Sequence, residues 1–532
     1  MKTIDLYSGI GGWRLGLNMA GIDVPYSYEM WKPAIDTYNG NFGTKVESTD
    51  IRDLNLGDLP DGIDFIVGSP PCTQFSFSNR GGSGDVNDGL VDIRKMLEIV
   101  KFIEPKYWAM ENVPRVAKIL DIELAKGGRL YDYRKIVNDI YVFNLNDFGL
   151  PQRRKRVVAG NYPLKLIQSY SKYFKNNESE LIQNATLGNV INALNKKNHR
   201  IVDPNYNIKI NASDLTDHNP NDYLDKEETR INQSLKEYHP VYNKMSFPDI
   251  LDKSSRTITA TCTRVSRESI IVNGGKDRFR RLSIRERASI QGFPINFKFG
   301  GKSYNDRLKM IGNAIPPLFT YFIGKSMLED HDYAGVLNSL KDCQFKPKKT
   351  TFKDVQLETK KNKYPLKRKF RFAIPNLRFG GQVRFELANY TDRDPVQWKV
   401  DYYFGPSKNI MTIPLNNKLL NTLQKNIKIN KTILNKILDS QQFKVNGNQL
   451  QLSWINGTNN VIKPFELLDA LGETASNMIQ LLKNENLTDI IFDIHKENIV
   501  NDYSLGNKYE INSQEICAGF LIGSFYNTIN EN

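Results

Sequence analysis

Short, largely apolar runs broken by glycine and proline mark the first third of the chain. Residues 3–7, 63–67 and 106–110 have the length and side chains of buried strands. Residues 13–20 and 90–103 instead repeat their apolar side chains at helical spacing. Strands that alternate with helices predict an α/β fold with a doubly wound sheet.

A glycine-rich turn, residues 8–12, follows the first predicted strand and precedes a helix. This order opens a doubly wound nucleotide site, because glycine lets the backbone approach a ligand and a helix N-terminus favours an anionic group. Glu29 comes about twenty residues later, where an acidic side chain can bind ribose hydroxyls. Asp50 follows a third unit and could accept from an adenine amino group. Both acids could instead be helix caps.

The pattern of apolar and polar residues weakens after residue 160 and becomes regular again from about residue 282. Residues 161–280 are rich in asparagine and lysine and only weakly periodic, although residues 256–264 alternate as strands do. Ser283 and Glu286 have the spacing of a capping box for a helix over 282–294. A last apolar helix is expected over 311–328.

The charge of the chain predicts a kind of partner, and its length predicts the number of domains. The 532 residues include 73 lysines and arginines against 59 aspartates and glutamates, a formal net charge of +14. Such an excess favours a polyanionic partner, and Arg256 and Arg264 in the alternating stretch become candidate DNA contacts. The length also predicts more than one domain.

The four cysteines, Cys72, Cys262, Cys343 and Cys517, lie far apart without metal-ligand spacing. We therefore expect no metal site and a reducing compartment. No apolar run is long enough to cross a membrane. The opening Met-Lys-Thr-Ile-Asp lacks the apolar core of a signal peptide, so a cytoplasmic location without membrane association is expected.

Cys72 differs from the other cysteines in its surroundings. It follows a predicted strand on a Ser-Pro-Pro-Cys loop, and such rigid display favours a nucleophile. A buried structural thiol is the alternative. The glycines in residues 81–89 are typical of a flap that closes over a substrate.

Two other strand ends carry polar side chains. Glu111 and Asn112 follow the strand over 106–110, at the edge where doubly wound sheets bind ligands. Arg154 and Arg156 enter a later strand two residues apart, so they share one face. They either join the same site or form a solvated basic edge.

These blocks resemble the DNA (cytosine-5) methyltransferases in order and spacing. The matching blocks are residues 5–12, 68–76, 111–113, 152–156, 281–294 and 312–316. The resemblance implies a Rossmann-like methyltransferase domain over 1–160 and 281–330 that uses S-adenosylmethionine. It also implies a mostly β or irregular target-recognition region over 161–280, with double-stranded DNA as the substrate.

The resemblance implies roles for individual residues. Cys72 would add to a flipped-out cytosine, Glu111 would neutralise the ring, and Arg154 would bind the cytosine O2 or a phosphate. We expect contacts with the DNA, or with the protein loops that bind it, from Asn112, Arg156, Arg256 and Arg264. Contacts with the cofactor are expected from Tyr7, Ser8, Gly9, Gly11, Glu29, Asp50 and Asn313.

One residue departs from the family pattern. Thr73 directly follows Cys72, where the family usually has glutamine, and Gln74 comes next. Within the family, the restriction-modification enzymes of bacteria and phages are the nearest type. They suggest a separately encoded restriction endonuclease as a partner and a monomer on DNA. A tRNA cytosine-5 methyltransferase is the alternative.

The last third of the chain has no counterpart in this resemblance. Residues 331–371 read as a basic linker and 372–532 as an α+β domain. In that domain we predict helices over 415–438 and 464–482, an Asn-Gly hairpin over 443–450 and a strand over 489–494. Three roles stay open: a DNA-binding or protein-contact domain, a regulatory or dimerisation domain, and a restriction nuclease using Asp354, Glu358 and Lys360.

Overall fold

A computed structural model divides the chain into two compact units. The N-terminal unit comprises Met1–Asp225 and Ser246–Glu358, and the C-terminal unit comprises Lys226–Met245 and Thr359–Asn532. The structure describes residues 1–75, 85–195, 199–237, 245–349, 351–352, 355–358, 364–379, 383–393, 396–403, 410–412, 445, 447–456, 463–483, 514–515, 517–519 and 521–522.

The N-terminal unit is organised on one six-stranded sheet. Its strands are β1 (Lys2–Leu6), β2 (Asp23–Tyr28), β3 (Phe65–Gly68), β4 (Tyr107–Asn112), β5 (Asp139–Asn144) and β6 (Lys155–Asn161). They lie in the order β2-β1-β3-β4-β6-β5. The first four run parallel, whereas β6 is antiparallel to β4 and β5. The direction of winding changes at β1, so a ligand is expected at the carboxyl ends of β1 and β3.

Helices cover both faces of this sheet. Phe65 and Val67 of β3 belong to one apolar core, whereas Ile66 between them belongs to the other. The predicted doubly wound α/β fold is thereby confirmed. The helices of the unit are α1 (Gly12–Ala20), α2 (Lys32–Phe42), α3 (Val86–Ile103), α4 (Arg115–Glu123), α5 (Leu164–Asn176), α6 (Glu180–Gln183), α7 (Leu187–Ala193), α9 (Ile284–Ile290), α10 (Tyr304–Asn313), α11 (Pro317–Met327) and α12 (Tyr333–Lys341).

The recognition region over 161–280 contains the helices α5–α7, but its strands are short. Its strands in the N-terminal unit are the short pairs β7 (Arg200–Val202) with β8 (Lys209–Asn211) and β9 (Ile271–Asn273) with β10 (Phe279–Arg281). Residues 256–264, predicted as strands, form none. They lie alongside the segment before β6 instead. The Ile258 amide donates to Gln152 Oε1, and the Thr257 hydroxyl donates to the Arg153 carbonyl. The capping box of Ser283 and Glu286 is present at α9.

Residues 342–349, 351–352 and 355–358, expected within a linker, belong to the N-terminal unit. The Phe345 ring lies 5.7 Å from that of Phe297, and the Lys348 amide donates to the Asn41 carbonyl over 3.1 Å. Glu358 pairs with Arg281 at 2.7 Å, and the Arg281 side chain is fully buried. The boundary between the two compact units falls after Glu358.

The elements of the C-terminal unit are α8 (Lys226–Glu237), β11 (Arg371–Phe379), β12 (Val383–Tyr390), β13 (Gln397–Tyr403), β14 (Ile410–Thr412), α13 (Gly447–Ile455) and α14 (Pro464–Leu482). Its strands form an antiparallel sheet in the order β11-β12-β13-β14. Phe385 and Leu387 lie on the apolar face of this sheet, where helix α14 packs against β11. Helix α8 comes from the recognition region but belongs to this unit.

Two sequence predictions for this unit can be compared with the described residues. The helix over 464–482 is confirmed by α14. The hairpin over 443–450 is wrong, because α13 begins at Gly447, whose carbonyl accepts from the Trp398 indole at 2.9 Å. The predicted elements over 415–438 and 489–494 lie outside the described residues, as do Gly81–Gly84 of the flap, Asp354 and Lys360. None of the helices in the described ranges is long and apolar enough to cross a membrane.

Candidate active site

The Pro-Pro-Cys loop leaves the sheet at the carboxyl end of β3 and is held from two sides. The side-chain amide of Asn112, at the end of β4, donates to the Pro70 carbonyl over 3.1 Å. The Trp13 indole of α1 donates to the Ser69 hydroxyl at 3.1 Å. Both contacts fix the backbone just before Cys72. Asn112 itself is only 1% exposed, so its described contact is with this loop.

Glu111 and Arg156 meet at the next strand end. Because β4 and β6 are antiparallel, the end of β4 lies beside the start of β6, with Glu111 opposite Val158. Arg156 Nε lies 2.9 Å from Glu111 Oε1, and both side chains are largely buried. The sheet topology therefore places an ion pair at the edge from which the Cys72 loop emerges.

The charges of this pair act on the thiol in opposite directions. Burial raises the pKa of Cys72 above its usual value, and the negative charge of Glu111 adds to that effect. Arg156, and to a smaller extent Arg154, lower the pKa of the same thiol. Without substrate the thiol form is favoured, so formation of the thiolate depends on the balance between Glu111 and Arg156.

Arg154 has a different role from the one expected from the sequence. Its guanidinium is completely buried and donates to three backbone carbonyls, those of Ile258, Gly312 and Ala314, at 3.0, 3.0 and 3.2 Å. These bonds join β6 to the turn after α10. The structure thus corrects the expectation that Arg154 binds a base or a phosphate, and Arg156 is the arginine that lies beside Glu111.

The glycine turn after β1 brings together most of the residues expected at a cofactor. Tyr7 and Gly9 have φ of 54°, and Gly11 has φ of 88°, which bends the backbone around the turn. The Gly9 amide donates to Glu29 Oε2 over 2.9 Å, so the acid at the end of β2 reaches this turn. The Ser8 hydroxyl is buried and, among the described residues, has no hydrogen-bond partner. A buried hydroxyl without a partner, at a turn that also binds a carboxylate, fits a ligand with ribose and amino-acid groups such as S-adenosylmethionine.

Asp50 and Asn313 occupy less decisive positions. Asp50 caps the 3-10 turn Ile51–Asp53 by accepting from the Arg52 amide, which is the alternative considered for it. Asn313 is exposed at the end of α10. Gly312 before it must be glycine, because an added Cβ would lie 2.2 Å from the Ala260 amide nitrogen.

A polar network that the sequence did not reveal links the cofactor turn to the cysteine loop. The Tyr7 hydroxyl donates to Asp92 Oδ1 of α3, and Arg52 donates to both carboxylate oxygens of Asp92, at 2.9 and 2.7 Å. Arg52 also pairs with Asp88, whose carboxylate accepts from the Gln74 amide at 3.0 Å. The sequence signal that could have revealed this network is Asp92, an acidic residue on the apolar face of the helix predicted over 90–103.

Arg256 and Arg264, expected on DNA, are engaged with acids of their own region. Arg256 binds both carboxylate oxygens of Asp249 at 2.8 Å and also the carbonyls of Arg267 and Ser269. Arg264 pairs with Asp222. Their side chains are only 15% and 13% exposed. The described contacts are therefore structural.

Comparison with known proteins places this geometry in a family. The C-5 cytosine-specific DNA methylase family matches residues 1–329, which is more than half of the chain. The type II methyltransferase M.FnuDI of Fusobacterium nucleatum is 30% identical over 349 residues, covering 62% of this chain and 94% of that protein. M.NgoPII of Neisseria gonorrhoeae is 29% identical over 343 residues, covering 62% and 95%. The crystal structure of S. pombe Dnmt2 methyltransferase covers 62% of this chain and 98% of its own, at 18% identity and a TM-score of 0.41.

A Rossmann-like methyltransferase fold with a cysteine and a glutamate at adjacent strand ends defines the class. The chain belongs to the C-5 cytosine-specific DNA methylase family. It is a DNA (cytosine-5) methyltransferase that uses S-adenosylmethionine. The family match ends at residue 329, so the sheet and helices of the C-terminal unit beyond Glu358 lie outside it.

Proposed function

We propose that this methyltransferase modifies one cytosine in a specific duplex site through a covalent adduct with Cys72, as part of a restriction-modification system. The Glu111–Arg156 ion pair beside the Cys72 loop is the observation that supports this mechanism most strongly. The type II methyltransferases to which the chain is similar support the restriction-modification role.

The first step is nucleophilic addition. Carbon 5 of cytosine is a poor nucleophile, and bonding of the Cys72 sulfur to carbon 6 moves electron density to carbon 5. The positive charge of Arg156 favours the thiolate, opposing the effect of burial on its pKa. As negative charge develops on the ring, Glu111 passes to N3 the proton that the Cys72 thiol releases.

Arg156 then has a second contact to make. Paired with Glu111 through Nε, it can direct another guanidinium nitrogen to the cytosine O2, where a donor stabilises the developing charge. Arg154 acts as a positioning residue, because its bonds to Gly312 and Ala314 hold the turn that presents Asn313. Asn112 positions Cys72 through the Pro70 carbonyl.

When bound, S-adenosylmethionine would supply the methyl group for carbon 5. Glu29 and Ser8 would hold its polar groups at the turn after β1, with Asp50 nearby on the 3-10 turn. A base then takes the carbon 5 proton, the bond between Cys72 and carbon 6 breaks, and the N3 proton returns through Glu111 to restore the thiol.

The substrate cytosine must leave the double helix to reach this site. Cys72 follows β3 and Glu111 lies in the last two residues of β4, and a base stacked in a duplex does not expose carbon 6 to such a position. The net charge of +14 supports phosphate contacts that hold the distorted DNA. A monomer would act on each site, with a separately encoded endonuclease as the partner system.

Bisulfite sequencing of DNA from cells that express the chain tests this proposal. Conversion-resistant cytosines should all lie at one position of one short sequence, and none should appear with Cys72→Ser. Resistant cytosines in tRNA with none in DNA would contradict the proposal and support the tRNA alternative.

A further inference from the structure

Helix α8 belongs to the recognition region by sequence but to the C-terminal unit by structure. It spans Lys226–Glu237, inside the region 161–280 that the family resemblance assigns to target recognition. The compact unit that contains it otherwise begins at Thr359. The chain therefore enters the C-terminal unit, returns to the N-terminal unit at Ser246 and enters the C-terminal unit again more than a hundred residues later.

Polar contacts bind α8 firmly to its host. Arg230 binds both carboxylate oxygens of Asp469 on α14, with Nη1 2.6 Å from Oδ2. Its guanidinium carbon also lies 5.0 Å from the centre of the Phe465 ring. Such forked pairing fixes orientation as well as distance, so α8 has a defined direction in the unit.

Burial of one face of α8 makes the association structural, and the buried residues are Glu228, Ile231, Asn232 and Lys236. Ile231 is 3% exposed in the intact chain. The α8 residues Arg230, Gln233 and Ser234 share a cavity of about 200 Å³ with Phe372, Ala373, Pro375, Phe465 and Leu468. A helix of 12 residues is marginal by itself in water, so packing on the C-terminal unit must supply its stability.

Anchored acids lie in the N-terminal unit before and after α8 along the chain. Asp222, just before the helix, accepts from Arg281 and pairs with Arg264. Asp249, after it, holds Arg256 in two hydrogen bonds. These four contacts lie in the N-terminal unit and organise the segments that surround β9 and β10. The chain that contains α8 thus leaves, and returns to, recognition segments that side-chain contacts hold in place.

We propose that the C-terminal unit is a working part of target recognition. By folding around α8 it fixes the two recognition segments that enter and leave the helix, and so contributes to the choice of the DNA site. The chemistry at Cys72 does not depend on it. This inference rests on the proposed function, that the chain methylates cytosine in specific duplex sites.

The decisive experiment compares two substitutions in the full-length chain. Ile231→Asp places a charge on the buried face of α8, whereas Lys226→Asp places the same side chain at its exposed first residue. The probes are a duplex carrying the site found by bisulfite sequencing and duplexes with one base pair of that site changed. The ratio of kcat/KM between them measures discrimination.

We expect Ile231→Asp to lower this ratio by about tenfold, within the range that one mismatched base pair usually carries. Lys226→Asp should leave the ratio unchanged, and both variants should bind S-adenosylmethionine within about twofold of the original chain. Unchanged discrimination by Ile231→Asp, or loss of cofactor binding by a folded Ile231→Asp protein, would overturn the inference. Absence of methylation by the unmodified chain would instead refute the proposed function.

A charge exchange resolves the case in which Ile231→Asp does not fold. Arg230→Asp and Asp469→Arg should each lower discrimination by about two- to fivefold, as expected for a partly exposed pair. The double variant Arg230→Asp/Asp469→Arg should restore it. Normal discrimination by both single variants, or lowered discrimination that the double variant does not restore, would also contradict the inference.

Discussion

The sheet edge of the N-terminal unit and its recognition segments use arginine in different ways. At the edge, Arg156 pairs with Glu111 next to a cysteine on an open loop, so its charge acts on a reacting position. In the recognition segments, Arg256 and Arg264 are enclosed by acids of the same region. The arginine at the sheet edge acts on the reactivity of the Cys72 thiol. The arginines of the recognition segments instead stabilise chain that contains little regular structure.

This difference shows how irregular chain can hold a defined shape. Residues 256–264 form no ladder with a neighbouring strand, so side-chain hydrogen bonds and ion pairs replace backbone pairing. A buried ion pair is costly to break because one charge is left without compensation. Substitutions at the sheet edge should therefore alter the reaction, and substitutions in the recognition segments should alter stability.

The largest expected effect comes from the thiol. Cys72→Ser should abolish methyl transfer, because serine does not supply a comparable nucleophile for carbon 6. Binding of S-adenosylmethionine, measured by calorimetry, should stay within a few-fold. Cys343→Ser is the matched control, since a hydroxyl can replace that thiol as donor to the Ser339 carbonyl. Turnover by Cys72→Ser at the original rate would disprove the nucleophile assignment.

Glu111→Gln should lower kcat by roughly two to four orders of magnitude, the range for general acid–base groups. The amide preserves the shape of the side chain but removes the charge that pairs with Arg156. Single-turnover rates and cofactor affinity should be measured together. A selective loss of cofactor affinity would move Glu111 from the reaction to the cofactor site.

Arg256→Ala should destabilise the protein by about 3–5 kcal/mol, because Asp249 would remain buried without its partner. The double variant Arg256→Met/Asp249→Asn should lose less, since both charges are removed. Urea unfolding gives the free energies. If Arg256 instead contacts a phosphate, the slope of log K against log salt concentration should fall by about one in the single variant.

The smallest expected effect concerns the ionisation of Cys72. Burial raises the pKa of its thiol, so the rate of alkylation by iodoacetamide should rise with pH beyond the range of an ordinary cysteine. At one fixed pH, Arg156→Gln should slow alkylation about two- to tenfold and Glu111→Gln should accelerate it. Equal rates in both variants would show that the pair has no influence on the thiol.

The sequence predicted the main sheet and the meeting of its strand ends. Runs 3–7, 63–67 and 106–110 became β1, β3 and β4, because continuous apolar runs between turns are a strong signal. The spacing from the glycine turn also identified Glu29, which reaches the Gly9 amide. These predictions depend on short segments whose pairing follows the order of a doubly wound sheet.

Other features depended on distant partners. Arg154 and Arg156 have the same spacing signal, and only the carbonyls of Ile258, Gly312 and Ala314 decide that Arg154 is structural. A pattern can indicate a helix over 226–237, but it does not indicate that its partners lie after residue 370. Contacts between residues far apart in sequence are set by three-dimensional packing, so no local sequence pattern predicts them.

The chain path through α8 also affects how the protein is made. Arg230 and its partner Asp469 are 239 residues apart, so the ribosome completes the helix long before the residues that stabilise it. At about 5–20 residues per second, that interval is about 10–50 s. During this time the methyltransferase sheet can fold, but the buried face of α8 lacks the residues that cover it. Nascent chains of this protein are therefore expected to need protection by a chaperone at the recognition region, even after residue 329, where the family match ends, has been synthesised.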